Sequence, residues 1–316
     1  MSKDVEPEDE DLVGLPRPTV DAIFRSYSEG QDPGYRDHLG ASIIGNDCRR
    51  AIWLSWRWAT RAAFEGRMLR LFQTGHLAEV RFVAELRRIG VTVWETDPET
   101  GRQWAVRDAE TGHFGGSLDS KAIGLLEAPR TVHVLEFKTH SAKSFKTLVA
   151  KGVQVAKPLH FAQMQCYMHF SKLDRAFYLA VNKDTDELYQ ERVRLDRDFA
   201  AGLVAKAQQI IRSAEPPANV SDDPSFYLCR MCDHAPICHG TSMPERHCRS
   251  CLHSTAVPGG QWHCASHDTL LPLASQRAGC TNHLYIPALV PGEQVDAGET
   301  WVEYRLRDGS TWRDEP

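Results

Sequence analysis

Glu136 and Lys138 stand two residues apart in the run TVHVLEFK, and Asp119 follows Gly115-Gly116-Ser117-Leu118 seventeen residues before the glutamate. Side chains alternate along a strand, so the acid and the amine point to the same face and are held side by side. Val132, Val134, Leu135 and Phe137 mark the strand as a central one, where a charge is costly unless it is paired or bound to a cation. A third acid, Glu79, falls on the stripe of Leu69, Phe72, His76, Val83 and Leu86, whose steps of three and four describe one buried helix face. Gln163 and Tyr167, four apart, share a face of another helix with Leu159 and Phe170. Each feature has an ordinary alternative: a salt bridge for Glu79, a surface ion pair for Glu136 and Lys138, a turn for Asp119, and core packing for Tyr167.

The cysteines form the second group. They are unevenly placed, with Cys48 and Cys166 alone and seven between Cys229 and Cys280. In a cytosolic chain such clustering favours metal over disulfides. Cys229-x2-Cys232-x5-Cys238 offers three thiolates and needs a fourth ligand from elsewhere; Cys48 is the obvious donor, with His234 or His239 as the alternative in a zinc site. Cys248-x2-Cys251-x12-Cys264-x15-Cys280 has zinc-ribbon-like spacing and needs no distant ligand, although His253, His263, His267 or His283 can replace a cysteine. Cys166 reads as a small buried hydrophobe.

The elements that must position these groups can be read from periodicity and turn signals. A helical pattern begins near residue 42 and runs through AIWLSWRW, and a second helix spans 67–88 with Gly90 as its C-cap. Strand-like runs follow at 91–95, 102–106, 116–124 and 131–138, separated by turns such as Asp97-Pro98 and Gly115-Gly116. A helix over 158–170, strands near 176–182 and 187–195, and a helix from Asp196 as N-cap to the prolines at 216–217 complete one α/β unit over 42–214. Residues 1–41 read as an acidic, largely disordered tail. Residues 215–241 hold the first cysteine cluster, 242–290 form a Cys/His module that needs metal to fold, and 291–316 make a β-hairpin turning at Asp308-Gly309.

The net charge of −5, from 37 Lys+Arg against 42 Asp+Glu, conceals two basic stretches, because residues 1–11 alone carry six acids and one lysine. Arg49, Arg50, Arg57 and Arg61 precede the Glu79 helix, and Lys143, Lys146, Lys151 and Lys157 lie between the Glu136 strand and the Gln163 helix. Solvated helix faces are the ordinary explanation. Trp53, Trp56 and Trp58 read as core at their helical spacing, with stacking on single-stranded bases as the alternative. No apolar run approaches the ~18 to 20 residues of a membrane span, and the acidic N-terminus is unlike a targeting signal. A cytoplasmic protein with no membrane partner is expected.

The ordered set Gly75-x3-Glu79, Asp119, Glu136-x-Lys138 and Gln163-x3-Tyr167, laid on helix, strand, strand and helix, resembles the RecB-like branch of the PD-(D/E)XK nuclease superfamily over residues 42–214. The resemblance implies a restriction-endonuclease-like α/β core with a mixed central sheet flanked by helices, followed by a Cys-rich metal-binding region. It implies that Asp119 and Glu136 bind a catalytic Mg²⁺ or Mn²⁺ and that Glu79 completes that site or a second one. Lys138 would orient or activate the attacking water, while Gln163 and Tyr167 support the lysine and contact DNA. Hard divalent ions select carboxylate oxygens and lower the pKa of bound water.

Cys48 before the core and Cys229, Cys232 and Cys238 after it look like the iron-sulfur staple of RecB-like exonucleases of the AddB and CRISPR-adaptation kinds, four thiolates being the ligand set of a [4Fe-4S] cluster. Many of those members carry His where this chain has Glu79. The implied activity is a metal-dependent DNA exonuclease, 5′ to 3′, in recombination, repair or phage replication. DNA is the substrate, and recombination or replication proteins or a second copy of the chain are the partners. Arg49, Arg50, Arg57, Arg61, Lys143 and Lys146 would hold backbone phosphates. The alternatives are an endonuclease of restriction or CRISPR adaptation, and a DNA-end-binding subunit that does not cleave.

Overall fold

The computed structural model describes residues 16–29, 35–61 and 63–316; the remainder of the expected tail lies outside them. Pro18–Ser28 forms α1, Leu39–Gly40 a short β1, Arg49–Trp56 α2 and Gly66–Arg88 α3. Four strands follow, Thr92–Trp94 (β2), Ala105–Arg107 (β3), Phe114–Ser117 (β4) and Ser120–Ile123 (β5), then His133–His140 (β6). Two consecutive helices, Ala142–Ala156 (α4) and Pro158–Ser171 (α5), cross over to Arg175–Asn182 (β7), and Leu188–Arg194 (β8) and Arg197–Arg212 (α6) close the unit. The central sheet has the order β2-β5-β6-β7-β8, and only β6 and β7 run parallel. A crossover through helices is what a parallel pair requires.

Alternation along β6 and β7 divides the interior into two layers. Leu135, Phe137, Phe177, Leu179 and Val181 pack with Phe82, Val83 and Leu86 of α3. Val134, Ala176, Tyr178 and Ala180 face the other way, toward Met164 and Tyr167 of α5 and Leu203 and Ile210 of α6. The chain is therefore a mixed α/β protein with a sheet between helices, as its periodicity predicts.

Four expectations need correction. The run at 116–124 is two strands in different sheets: β4 joins β1 and β3, β5 joins the central sheet, and the chain breaks at Leu118-Asp119 between them. The periodicity predicts no helix over α4, whose Phe145, Leu148 and Val153 stripe runs into Gly152, found at φ +71°. The segment up to residue 41 is not all tail: Leu39 is 1% exposed and pairs with Phe114, and Phe24 of α1 lies against Gly66 so closely that a Cβ there would collide with its carbonyl. The C-terminal hairpin, Val302–Leu306 (β13) with Thr311–Asp314 (β14), carries a third strand, Gly292–Ala297 (β12).

The Cys/His module, with strands Ser254–Val257 (β9), Gln261–Cys264 (β10) and Thr269–Leu270 (β11), is bolted to the core. Trp262 is fully buried in the main core cluster, and His247 bonds the Trp58 carbonyl at 2.9 Å. Arg249 lies 3.7 to 4.7 Å from the ring centroids of Trp56, Trp58 and Trp262 and donates to the carbonyls of Arg36, Asp37 and Trp56. Among the described residues no helix is long and apolar enough to cross a membrane.

Candidate active site

Glu136 lies at the middle of the central strand with no exposed surface, and one carboxylate oxygen, Oε1, accepts from Lys138 Nζ. The other, Oε2, is buried without a hydrogen-bond partner among the described residues. An orphaned buried carboxylate oxygen is expensive, and burial pushes the Glu136 pKa up despite the neighbouring ammonium. Lys138 keeps about a quarter of its side chain exposed (26%) and also donates to the Phe137 carbonyl at 3.0 Å. Burial works against its charge, but Glu136, Asp119 and Glu79 more than offset it, so its pKa is raised and it stays an ammonium at neutral pH.

The break between β4 and β5 aims Asp119 at this strand: its Oδ2 accepts the Phe137 backbone N–H at 2.8 Å. Glu79 approaches from α3 on the opposite layer. It is not buried as its stripe predicts: its side chain is 40% exposed, and the residues of α3 buried against the sheet are Phe82, Val83 and Leu86, with Ala78 partly buried beside them. Partial burial and the Asp119 charge nevertheless raise its pKa, partly offset by His76 and Lys138. On the other side Gln163 donates to the Tyr167 hydroxyl at 3.2 Å. That hydroxyl lies against Gly116, where a Cβ would stand 2.7 Å from it. Burial and the Glu136 charge hold Tyr167 in its phenol form. Six residues from two helices, one strand and a strand junction thus gather around the middle of β6.

An open cleft of about 470 Å³ continues from Gln163, Tyr167 and Gly116 to Arg36, His38 and Ser42. Its far wall belongs to the segment expected to be tail. Two further groups were missed although the signal was present: His140 is two residues beyond Lys138 on the same strand face, and His160 is three before Gln163 on the same helix face.

Not every expected contact survives. Arg57 is 3% exposed, donates to the carbonyls of Arg249 and Ser254, and packs over Trp53 and Trp262, so it is a core cation rather than a phosphate contact. Arg49 donates to Gln209 at 2.8 Å, and Arg50 to the carbonyls of Pro217 and Ala288. Arg61, Lys143 and Lys146 are exposed. Trp53, Trp56 and Trp58 are at most 3% exposed and cannot stack on a nucleic-acid base.

Cys48, Cys229, Cys232 and Cys238 line one cavity, although Cys48 is far from the others in sequence. His234 lines it too, but its ring nitrogens are engaged by Ser55 and Thr60 at 2.8 Å each, which removes it as a ligand. A second cavity is lined by Cys248, Cys251, Cys264 and Cys280 together with His253 and His283. His283 Nδ1 is buried there without a partner among the described residues. Among those residues, however, no three His, Cys, Asp or Glu side chains already stand in the arrangement of a metal site. Cys166 is fully buried in the core.

No family model and no curated protein matches the chain. Among solved structures it is similar to LHK-Exo in complex with dAMP (TM-score 0.40, 13% identity, covering 60% of this chain and 89% of that one). SSO0001 gives a TM-score of 0.41 at 14% identity, covering 70% of this chain and 96% of that one. A second structure of the alkaline exonuclease LHK-Exo, from Laribacter hongkongensis, gives 0.36 at 16% identity, covering 60% and 89%. At these values the likeness is loose.

Proposed function

We propose that the chain is a metal-dependent deoxyribonuclease that hydrolyses phosphodiester bonds from DNA ends. The observation that carries this reading is the buried, half-satisfied carboxylate of Glu136 beside Asp119 and Lys138. Two carboxylates with an unused buried oxygen suit a hard cation, and an ammonium at the rim suits an anionic or hydroxide-forming reactant. Asp119 and Glu136 would hold Mg²⁺ or Mn²⁺, with Glu79 at its more exposed side. When bound, such a cation supplies a water of lowered pKa and neutralises charge on the phosphate.

The chain's own groups do the rest. The Phe137 N–H fixes the Asp119 carboxylate. Lys138, held charged by its acidic neighbours, orients the nucleophilic water and meets the negative charge that grows on the phosphoryl oxygens. Gln163, through its bond to the Tyr167 hydroxyl, holds the wall of the cleft in place. Exposed Arg61, Lys143 and Lys146 attract the backbone. We assign a [4Fe-4S] cluster to Cys48, Cys229, Cys232 and Cys238 and zinc to Cys248, Cys251, Cys264 and Cys280, in both cases as folding elements supported by the shared cavities.

The test is linear end-labelled DNA beside covalently closed circular DNA of the same sequence, with Mg²⁺, Mn²⁺ or EDTA. Degradation of the linear form alone, abolished by EDTA and starting at the 5′ end, is expected. Cutting of the circle would make the protein an endonuclease, and cutting in EDTA would remove the cation from the reaction.

A further inference from the structure

Beside Lys138 and Glu136, five polar groups form a chain. Lys157 Nζ donates to Ser144 Oγ, which lies 3.3 Å from His140 Nδ1. His140 Nε2 is 2.8 Å from the Tyr178 hydroxyl, and that hydroxyl is 2.9 Å from His160 Nδ1. The four elements that supply these groups are α4, β6, β7 and α5, with Lys157 at the junction of the two helices. Tyr178 is the register partner of Glu136 across the parallel pair, and the two rings of His140 and His160 stack at 6.0 Å.

A single direction, outward from the ammonium, gives every group in the chain a donor or an acceptor. A lysine ammonium can only donate, so Ser144 accepts from it. Ser144 Oγ, having accepted from the ammonium, keeps a proton of its own that it can give to His140 Nδ1. His140 then carries its proton on Nε2 and donates to Tyr178, and Tyr178 donates to His160 Nδ1. His160 is left with a single N–H, on Nε2. That nitrogen has no partner among the described residues and is not sealed from solvent. Both histidines are held neutral, His140 with its pKa lowered to about 4 and His160 to about 3, by burial first and then by the surrounding lysines.

His160, Gln163 and Tyr167 occupy positions i, i+3 and i+7 of α5 and form one row along a helix face, with the Lys138 charge acting on His160 at one end and that of Glu136 on Tyr167 at the other. Given the nuclease reading above, we infer that the row is a track for one DNA strand and that His160 Nε2–H donates to a non-bridging oxygen of a phosphate flanking the bond that is cut. Tyr178, His140, Ser144 and Lys157 are positioning residues: they fix the tautomer that makes His160 a donor at that end. A neutral donor suits this place, because Lys138 already supplies the charge and a second cation beside it would be repelled.

The test is a chemical double-mutant cycle. Duplex ends carrying a single neutral methylphosphonate at each phosphate around the cleaved bond are digested by wild type, His160→Ala and His160→Gln. A charge-assisted hydrogen bond to phosphate is worth roughly tenfold or more in kcat/KM. At one flanking position wild type should lose about that factor to the methylphosphonate, whereas His160→Ala, already impaired, should lose less than about twofold more. His160→Gln, whose amide nitrogen can occupy the place of Nε2, should recover most of the wild-type rate, which a purely structural role would not produce. Tyr178→Phe should raise KM with kcat little changed. Equal penalties in wild type and His160→Ala at every phosphate, with wild type cutting normally, would overturn the His160 contact and leave the nuclease reading intact. A wild type that cuts no DNA in Mg²⁺ or Mn²⁺ would overturn both.

Discussion

Gly116→Ala reaches the site without touching any of its charged groups. A Cβ at this position would lie 2.7 Å from the Tyr167 hydroxyl and 3.1 and 3.3 Å from ring atoms Cε1 and Cζ. The shortest of these is about 0.7 Å inside an ordinary 3.4 Å contact, and Tyr167 is 3% exposed and cannot swing into solvent. Either β4 or the ring must yield, and overpacking of this size costs about 1–3 kcal/mol. The hydroxyl is also the acceptor of the 3.2 Å bond from Gln163, so the displacement passes to the second member of the row. A shift of nearly 1 Å in positioning groups costs on the order of 10- to 100-fold in rate. Cleavage of end-labelled DNA should fall by that factor while Tm drops by a few degrees. Tyr167→Phe removes the nearest atom, so Gly116→Ala/Tyr167→Phe should be more stable than the sum of the single changes predicts. Additive stabilities, or a Gly116→Ala protein that cuts at the wild-type rate, would refute the close approach as a functional contact.

Protein purified without oxygen should be brown and contain iron, labile sulfide and zinc. Cys48→Ala should remove the colour and lower Tm while zinc persists, and Cys264→Ala should do the reverse; a colourless wild type with two zincs would reassign the Cys48 cavity. Arg249→Ala strips a cation from Trp56, Trp58 and Trp262 and leaves the carbonyls of Arg36, Asp37 and Trp56 without their donor. It should cost at least about 3 kcal/mol in urea unfolding, and a loss under about 1 kcal/mol would show that the module is not held by this side chain. His140 and His160 titrate below the usual 6.5 in the folded state, at about 4 and about 3. Their contribution to stability is therefore complete above pH 6.5 and is lost as pH falls toward those values, since the unfolded chain binds the extra protons. A His140→Gln/His160→Gln protein should lose less stability than wild type over that interval, and an identical acid slope would contradict the buried neutral pair.

The central sheet and the convergence of Asp119, Glu136, Lys138, Gln163 and Tyr167 were legible because two periodicities suffice for them. Alternation fixed Glu136 and Lys138 on one face of β6, and the four-residue step fixed Gln163 and Tyr167 on α5. Glu79 shows the limit of the same rule. Its stripe is real, but only the C-terminal half of α3 meets the sheet, and the pattern alone does not say how far a helix overhangs its partner. Arg57 and the three tryptophans show another limit. A cation among aromatics reads equally as a nucleic-acid surface or as a cage, and what decides is Arg249 and Trp262, some two hundred residues away. The docking of the Cys/His module on Trp56 and Trp58 is tertiary information that no local spacing carries. The sequence reads β4 and β5 as one strand because Asp119 sits at a break whose only sign is the glycine pair before it.

The most direct test of the account is Lys138→Ala, measured with Glu136→Ala and wild type for DNA cleavage in Mg²⁺ and Mn²⁺, for DNA binding in EDTA, and for Tm. Lys138 is partly exposed and the buried Glu136 carries an oxygen without a partner among the described residues, so neither change should unfold the protein. Wild type should degrade linear DNA, and both variants should bind it with affinity within a few-fold of wild type yet cut it at least about 100-fold more slowly. Cleavage by Lys138→Ala at the wild-type rate would contradict the assignment of this carboxylate and lysine cluster as the catalytic centre.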